Sequence, residues 1–258
     1  MKQKILSGLA DALAKKITLA EQNKQYFAEP FQHIVIDDFF PLDFAKKASE
    51  QIDLIPKTQW DYTSDDGIEV KYRTNWKSEF DIPDLVLPSI RLLNSSPILK
   101  AMSERLAIPK LMPDPYFSGG GLNMTEKGGH LDIHVDGNYH DASGLNRRVN
   151  ILIYLTEGWQ PDWGGEFGIY SDGGEVLVKA VPPVFNRCVI FDTHDQSFHG
   201  LPNPINFPEG NPRKSILLYY YTKEARPKSQ VSVENPHSAL WKSRGFKDKR
   251  GNKTRDYE

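Results

Sequence analysis

From Tyr116 onward, short apolar runs alternate with clusters of glycine, proline, aspartate and asparagine, and this punctuation limits the fold more than any other feature of the chain. The runs fall at 131–136, 149–155, 166–170, 175–180, 184–192 and 215–222, each the size of a strand. Strands at that spacing point to an antiparallel sandwich or barrel rather than a βαβ sheet.

Before Tyr116 the apolar period changes. Ile5, Leu9, Leu13 and Ile17 recur at every fourth position, which predicts an amphipathic helix held down by burial of one face. Residues 31–40 (FQHIVIDDFF) read as a strand and its exit. A second helix is expected from Pro41 and Leu42, carrying Phe44, Ala45, Ala48 and Ile52, and a third between 88 and 106. The polar stretch 58–80 reads as a hairpin over an opening. Its Trp60, Tyr62, Tyr72 and Trp76 are candidate cleft residues, with plain packing as the blander alternative. The expected class is α+β in one domain: 1–115 as mainly helical support, 116–225 as the β core, and 226–258 as a C-terminal extension. Residues 235–244 could fold back over the opening, and the polar end 247–258 is expected to be a solvated tail.

Composition removes several function classes. Thirty-two basic against 34 acidic residues give a net charge of −2, which excludes nucleic-acid binding by bulk charge. An apolar content of 39% argues against a mostly disordered chain. No run approaches the roughly 18 consecutive apolar residues of a membrane span. The single cysteine, Cys188, cannot form an internal disulfide, and no leader segment stands out, so a cytoplasmic location is expected. Oligomeric state has no signature in the sequence.

The chemistry concentrates at 131–136 (LDIHVD). In an extended strand Leu131, Ile133 and Val135 share one face, and Asp132, His134 and Asp136 the other. An imidazole and a carboxylate two residues apart can reach one metal, and a histidine from another strand would complete a facial set with three open positions, a geometry suited to non-haem Fe(II). His199, just after the run 184–192, is well placed for this, with His194 as its main competitor. His140 reads as a solvent-exposed loop residue; His33, His130 and His237 are also available. Any one of these histidines alone is more often an ordinary hydrogen-bonded residue, and H-x-D occurs twice, since His130 and Asp132 also match. Fourteen residues past His199, Arg213 and Ser215 share a strand face and would suit a carboxylate; alone, a surface salt bridge is the plainer reading of Arg213.

Five ordered segments carry more information than any of their parts. They are GGHLDIHVD (128–136), RRVNILIYL (147–155), WGGE (163–166), SFHG (197–200) and PRKSILLYYYT (212–222). Together they resemble the Fe(II)- and 2-oxoglutarate-dependent oxygenases of the prolyl 4-hydroxylase-like group, over roughly the last 140 residues and more loosely over 30–40 and 119–121. The resemblance implies a double-stranded β-helix (jelly-roll) core with N-terminal supporting helices. It implies Fe(II), 2-oxoglutarate and O2 as cofactor and co-substrates. It assigns His134, Asp136 and His199 to the metal, and Arg213, Tyr154 and Ser215 to the distal carboxylate of 2-oxoglutarate. The register selects His134 over His130.

Many members have a tyrosine about nine residues before the first metal ligand; here Thr125 stands there, so Thr125 or Asn123 would finish the pocket. The implied reaction is hydroxylation of an unactivated C–H bond, with Asp136 arguing against halogenation, which needs that position vacated for halide. A prolyl residue, or a proline-like or amino-acid compound, ranks first as substrate, whether small molecule or peptide. Trp159 and Trp163 beside the Gly164-Gly165 turn could line the substrate cleft or simply pack. Two other classes fit parts of the pattern. A cupin-like jelly-roll metalloenzyme that does not use 2-oxoglutarate would have no need of Arg213 and Tyr154. A carbohydrate-binding sandwich would leave the histidines incidental.

Overall fold

The computed structural model describes residues 3–65, 67–232 and 236–251. Two antiparallel sheets face each other. The larger contains β1 (Tyr26–Phe27), β2 (His33–Ile36), β3 (Trp60–Asp65), β4 (Glu69–Thr74), β5 (Met112–Pro113), β6 (Gly121–Thr125) and β7 (His130–Leu131). The chain then enters the smaller sheet at β8 (His134–Val135) and returns through β9 (Asn146–Tyr154). It crosses again to β10 (Phe167–Ser171) and β11 (Val176–Val181), back to β12 (Cys188–Asp192), over to β13 (His199–Gly200), back to β14 (Arg213–Thr222), and ends in the smaller sheet at β15 (Leu240–Trp241). The larger sheet runs β1-β2-β12-β9-β14-β6-β4-β3, with β5 on β14 and β7 on β4; the smaller runs β11-β10-β13-β8-β15. This is the expected jelly-roll.

The pleat sorts the side chains. On β9, Val149, Ile151 and Ile153 face outward into a large core with Ile190, Ile216 and Leu218. Helices α1 (Gln3–Thr18), α2 (Leu42–Asp53), α3 (Leu87–Leu93) and α4 (Ser96–Arg105) cover that face through Leu13, Ile17, Ala45, Ile52, Leu93 and Met102. Each fully buried Ile or Leu there contributes about 1.5–3 kcal/mol. The inward residues Leu152 and Tyr154 meet Phe167, Ile169 and Phe191 in a smaller core between the sheets. Beyond that core the sheets part into a cleft.

Several expectations need correction. The third helix is two, because Ser95 is extended and Pro97 opens α4. Ile5 is exposed, so the buried stripe of α1 is Ala10, Leu13 and Ile17. Strand β6 has no counterpart among the predicted runs; its glycine and polar residues hide a strand buried by its neighbours. The run 131–136 is not one strand. β7 pairs with β4 and β8 with β13 and β15, so the chain changes sheets at Asp132 and Ile133, and Asp132 turns away to accept a bond from Ser243 N at 2.8 Å. The 58–80 hairpin forms, but Trp60 and Trp76 are core residues and Tyr62 packs at a tilt against Tyr72; Glu69, Lys71 and Arg73 face the cleft instead. His140 is buried against Asp114 at 3.0 Å rather than solvent-exposed. The tail also packs in part: Asp248 is buried and Lys249 pairs with Glu69, while 252–258 lie outside the described residues.

Candidate active site

Three side chains from three segments converge at the inner end of the cleft. β8 supplies His134, the turn after it Asp136, and β13 His199, directly opposite His134 in the antiparallel register. One ligand atom from each lies within 4.8 Å of the others. His134 Nδ1 is 2.8 Å from the Asp132 carbonyl, and His199 Nδ1 is 2.8 Å from the Ser197 carbonyl. Both carbonyls can only accept, so both Nδ1 atoms carry the proton and both Nε2 lone pairs are free for a metal. The Nε2 atoms stand 3.6 and 3.5 Å from the Asp136 oxygens. Burial would raise the Asp136 carboxyl, but Arg147, His199 and His134 hold it well below the usual carboxylate range. Burial and the neighbouring His134 lower His199 to about 4, against the pull of Asp136. At neutral pH the set is thus a carboxylate and a neutral imidazole at Asp136 and His199, the forms a divalent ion needs.

The second half of the site lies on the inner face of β14. Arg213 is buried, donates from Nε to the Gly165 carbonyl at 2.8 Å, and stands 4.8 Å from the Tyr154 ring centre. Burial lowers its guanidinium pKa despite the favourable Tyr154 and Glu166 beside it. Across the sheet, Arg213 is paired with Thr125, and Ser215 with Asn123 on one side and Tyr154 on the other. The Tyr154 hydroxyl and both amide atoms of Asn123 are buried with no hydrogen-bond partner among the described residues. Buried polar atoms left unpaired are costly. A carboxylate beside Arg213 would accept from the tyrosine hydroxyl and the amide NH2. The residues therefore fit a dicarboxylic acid whose far end meets Arg213 and whose near end reaches the histidine–aspartate set.

The profile of the 2OG-Fe(II) oxygenase superfamily matches residues 120–221, a span holding His134, Asp136, His199, Tyr154, Arg213 and Ser215 as well as Asn123 and Thr125. Residues 120–221 form a domain of that superfamily. Its members use Fe(II), 2-oxoglutarate and O2, and the histidine–aspartate set is compatible with the metal. Among curated proteins, none matches the chain in sequence. Solved structures agree on the fold. A prolyl hydroxylase from Trichoplax adhaerens, in complex with a hypoxia inducible factor peptide fragment, superposes with a TM-score of 0.57 at 17% identity, covering 86% of this chain and 94% of that one. A prolyl 4-hydroxylase from Phytophthora capsici gives 0.57 at 19%, covering 85% and 68%. One from Pseudomonas putida gives 0.52 at 15%, covering 84% and 100%.

The oxygenase cleft measures about 460 Å³ and contains residues that the sequence reading did not single out. Arg147 Nη2 lies 3.1 Å from Asp136 Oδ2, and Asn150 Nδ2 donates to the same oxygen at 2.8 Å. A bulge explains why Arg147 faces inward: Tyr220 pairs with Val149 but Tyr221 with Arg147, so Arg148 is skipped and the alternation reverses. Simple pleating would have turned Arg148 inward. Trp241 of β15 stacks on His134 with ring centres 4.5 Å apart. The segment 235–244 was expected near the opening; of its described part, Ser238, Ala239 and Trp241 line the cleft. Trp159 and Trp163 serve packing: the first donates to the Gly164 carbonyl at 2.8 Å and the second packs at a tilt against Phe207, ring centres 5.2 Å apart. His194 stays outside the set, its ring against Phe31.

Proposed function

We propose that this chain is a 2-oxoglutarate-dependent dioxygenase that hydroxylates an unactivated C–H bond, with a prolyl residue or a proline-like or amino-acid compound as first-ranked substrate. His134, Asp136 and His199 hold Fe(II). Arg213, with Tyr154 and Ser215, grips the distal carboxylate of 2-oxoglutarate, and Asn123 and Thr125 finish that pocket. Fe(II) and 2-oxoglutarate, when bound, would supply the electrons that activate O2 for C–H cleavage, 2-oxoglutarate being oxidised to succinate and carbon dioxide while the other oxygen atom goes to the substrate. The chain's own residues set the geometry: the two backbone carbonyls fix the imidazole tautomers, and Arg147 and Asn150 anchor Asp136. With Asp136 in place no protein position is vacated for halide, which favours hydroxylation over halogenation.

The observation that carries this reading is the buried Arg213, with its unpaired Tyr154 and Asn123 neighbours, opening into the same cleft as the histidine–aspartate set. A cupin-like enzyme without 2-oxoglutarate has no use for that pocket. The fold shared with prolyl hydroxylases supports the ranking of substrates, one of those proteins having been solved with a peptide. The test is Fe(II)-dependent succinate release with wild type and Arg213→Ala. We expect the variant to raise the KM for 2-oxoglutarate at least about tenfold, the loss of a charge-assisted pair, while Fe(II) affinity holds. An unchanged KM would contradict the assignment.

A further inference from the structure

The charges around the cleft do not balance. Its lining includes six basic and three acidic side chains. Arg147 is spent on Asp136 at 3.1 Å. Arg213 belongs to the co-substrate pocket. Lys71 and Lys249 share Glu69, the first at 2.7 Å. Asp248 accepts the backbone N–H of Arg250 at 2.8 Å, and the Arg250 side chain itself is exposed to solvent at the rim, where its charge is screened. Arg73 is left over. It projects from β4 into the cleft, half-buried, with no acidic partner within ion-pair distance among the described residues. Loading does not discharge it, because Fe(II) and the 2-oxoglutarate dianion cancel in charge.

The surroundings of Arg73 form a receptor. Gly119 has φ +85, and a Cβ there would stand 3.5 Å from Arg73 Nη1 and 3.7 Å from the Tyr219 hydroxyl. It would also stand 3.0 Å from Tyr219 Cε2, too close for an ordinary contact, so glycine is what lets the phenol and the guanidinium share one niche of the cleft wall. Asn123 of the co-substrate pocket lies directly across the β4–β6 pair from Arg73, so the niche adjoins that pocket. The niche is next to the metal set: Arg147 stacks over the Tyr219 ring at 3.5 Å and reaches Asp136 with its far nitrogen. A guanidinium fork flanked by a phenol hydroxyl matches a carboxylate.

We infer that Arg73 is a specificity-determining residue that binds a carboxylate of the primary substrate, so that the compound hydroxylated is an anionic, carboxylate-bearing amino acid or peptide. This rests on the oxygenase reading. The substrate's carboxylate docks on Arg73 and Tyr219, and the C–H bond to be oxidised lies inward, toward His134, Asp136 and His199.

The test is succinate release with matched pairs in which a carboxylate is replaced by its primary amide: proline and prolinamide, N-acetylproline and its amide, and acetyl-prolyl-glutamate and acetyl-prolyl-glutamine as C-terminal amides. At least one carboxylate member should stimulate release, with kcat/KM at least about tenfold above its amide, the scale of one charge-assisted pair. Arg73→Gln should erase that ratio mainly through the KM for the probe, and Arg73→Lys should restore part of it. A ratio near one, preference for the amides, or stimulation by no carboxylate overturns the assignment. Total succinate release separates the two levels: a wild-type protein that forms succinate without discriminating between the members of each pair loses only the role of Arg73, and one that forms none with any probe or without one loses the oxygenase reading with it.

Discussion

Asn150 and Arg147 meet the same oxygen of Asp136, so one side of that carboxylate is committed to the protein and its orientation is set before any ion arrives. Partners of this kind typically change metal affinity 10- to 100-fold. Asn150→Ala should therefore weaken Fe(II) binding about tenfold or more, read by anaerobic titration with Fe(II) or its spectroscopic substitute Co(II). Unchanged affinity would mean that Asp136 is oriented by other contacts. At this scale the sequence is informative where chemistry needs fixed spacing. His134, Asp136, His199 and Arg213 stand out because H-x-D and the ordered segments bring their residue types together. Asn150 lies within a quoted segment, yet its role depends on a turn of the chain that no spacing records. Arg73 is equally silent, since one arginine in a polar hairpin looks like any solvated charge.

Among the elements, the turn before β10 controls the co-substrate pocket. Gly165 has φ +81, and a Cβ there would approach Phe207 to 2.9 Å and the Arg213 side chain to 3.0 Å. Its carbonyl also receives the Arg213 Nε bond. Gly165→Ala is strained in backbone and crowded in space, so it should displace Arg213 without touching the metal set. We expect a KM for 2-oxoglutarate raised about tenfold, or about 1.4 kcal/mol, with Fe(II) affinity within about twofold; an unaltered KM would count against the turn's role. The WGGE segment was legible as a motif, but its purpose emerges only from the contact of that backbone with Arg213. Sheet crossing was not legible at all. Alternation in LDIHVD suggested one continuous strand, whereas β7 and β8 belong to different sheets. The bulge at Arg148 likewise reverses a face that strict pleating would assign wrongly.

For the whole molecule, burial of ionisable groups predicts sensitivity to acid. His33 and His194, both away from the metal set, are lowered to about 4, chiefly by burial. Asp192 is raised to about 6, again chiefly by burial. The unfolded chain binds two protons at the histidines as pH falls through their ordinary value, while the folded chain binds one at Asp192. In metal-free protein His199, also lowered to about 4, adds a third, so net uptake favours the unfolded state by about two protons between pH 6 and 4, and stability should fall by about 3 kcal/mol per pH unit there. Urea denaturation of metal-free protein across that range checks the slope; a flat profile would contradict it. The alternation of short strands was enough to read a sandwich or barrel, because two half-buried sheets impose it; the jelly-roll came from the resemblance carried by the ordered segments. The helical cover was less legible, since packing rather than period decides which face of α1 is buried.

The account depends on one ion and one keto-diacid sharing this cleft. Absorbance of the anaerobic protein with Fe(II) and 2-oxoglutarate tests that most directly. A weak visible charge-transfer band should appear in the wild type and vanish in His199→Ala; absence of the band in the wild type, or its persistence in the variant, would contradict the assignment.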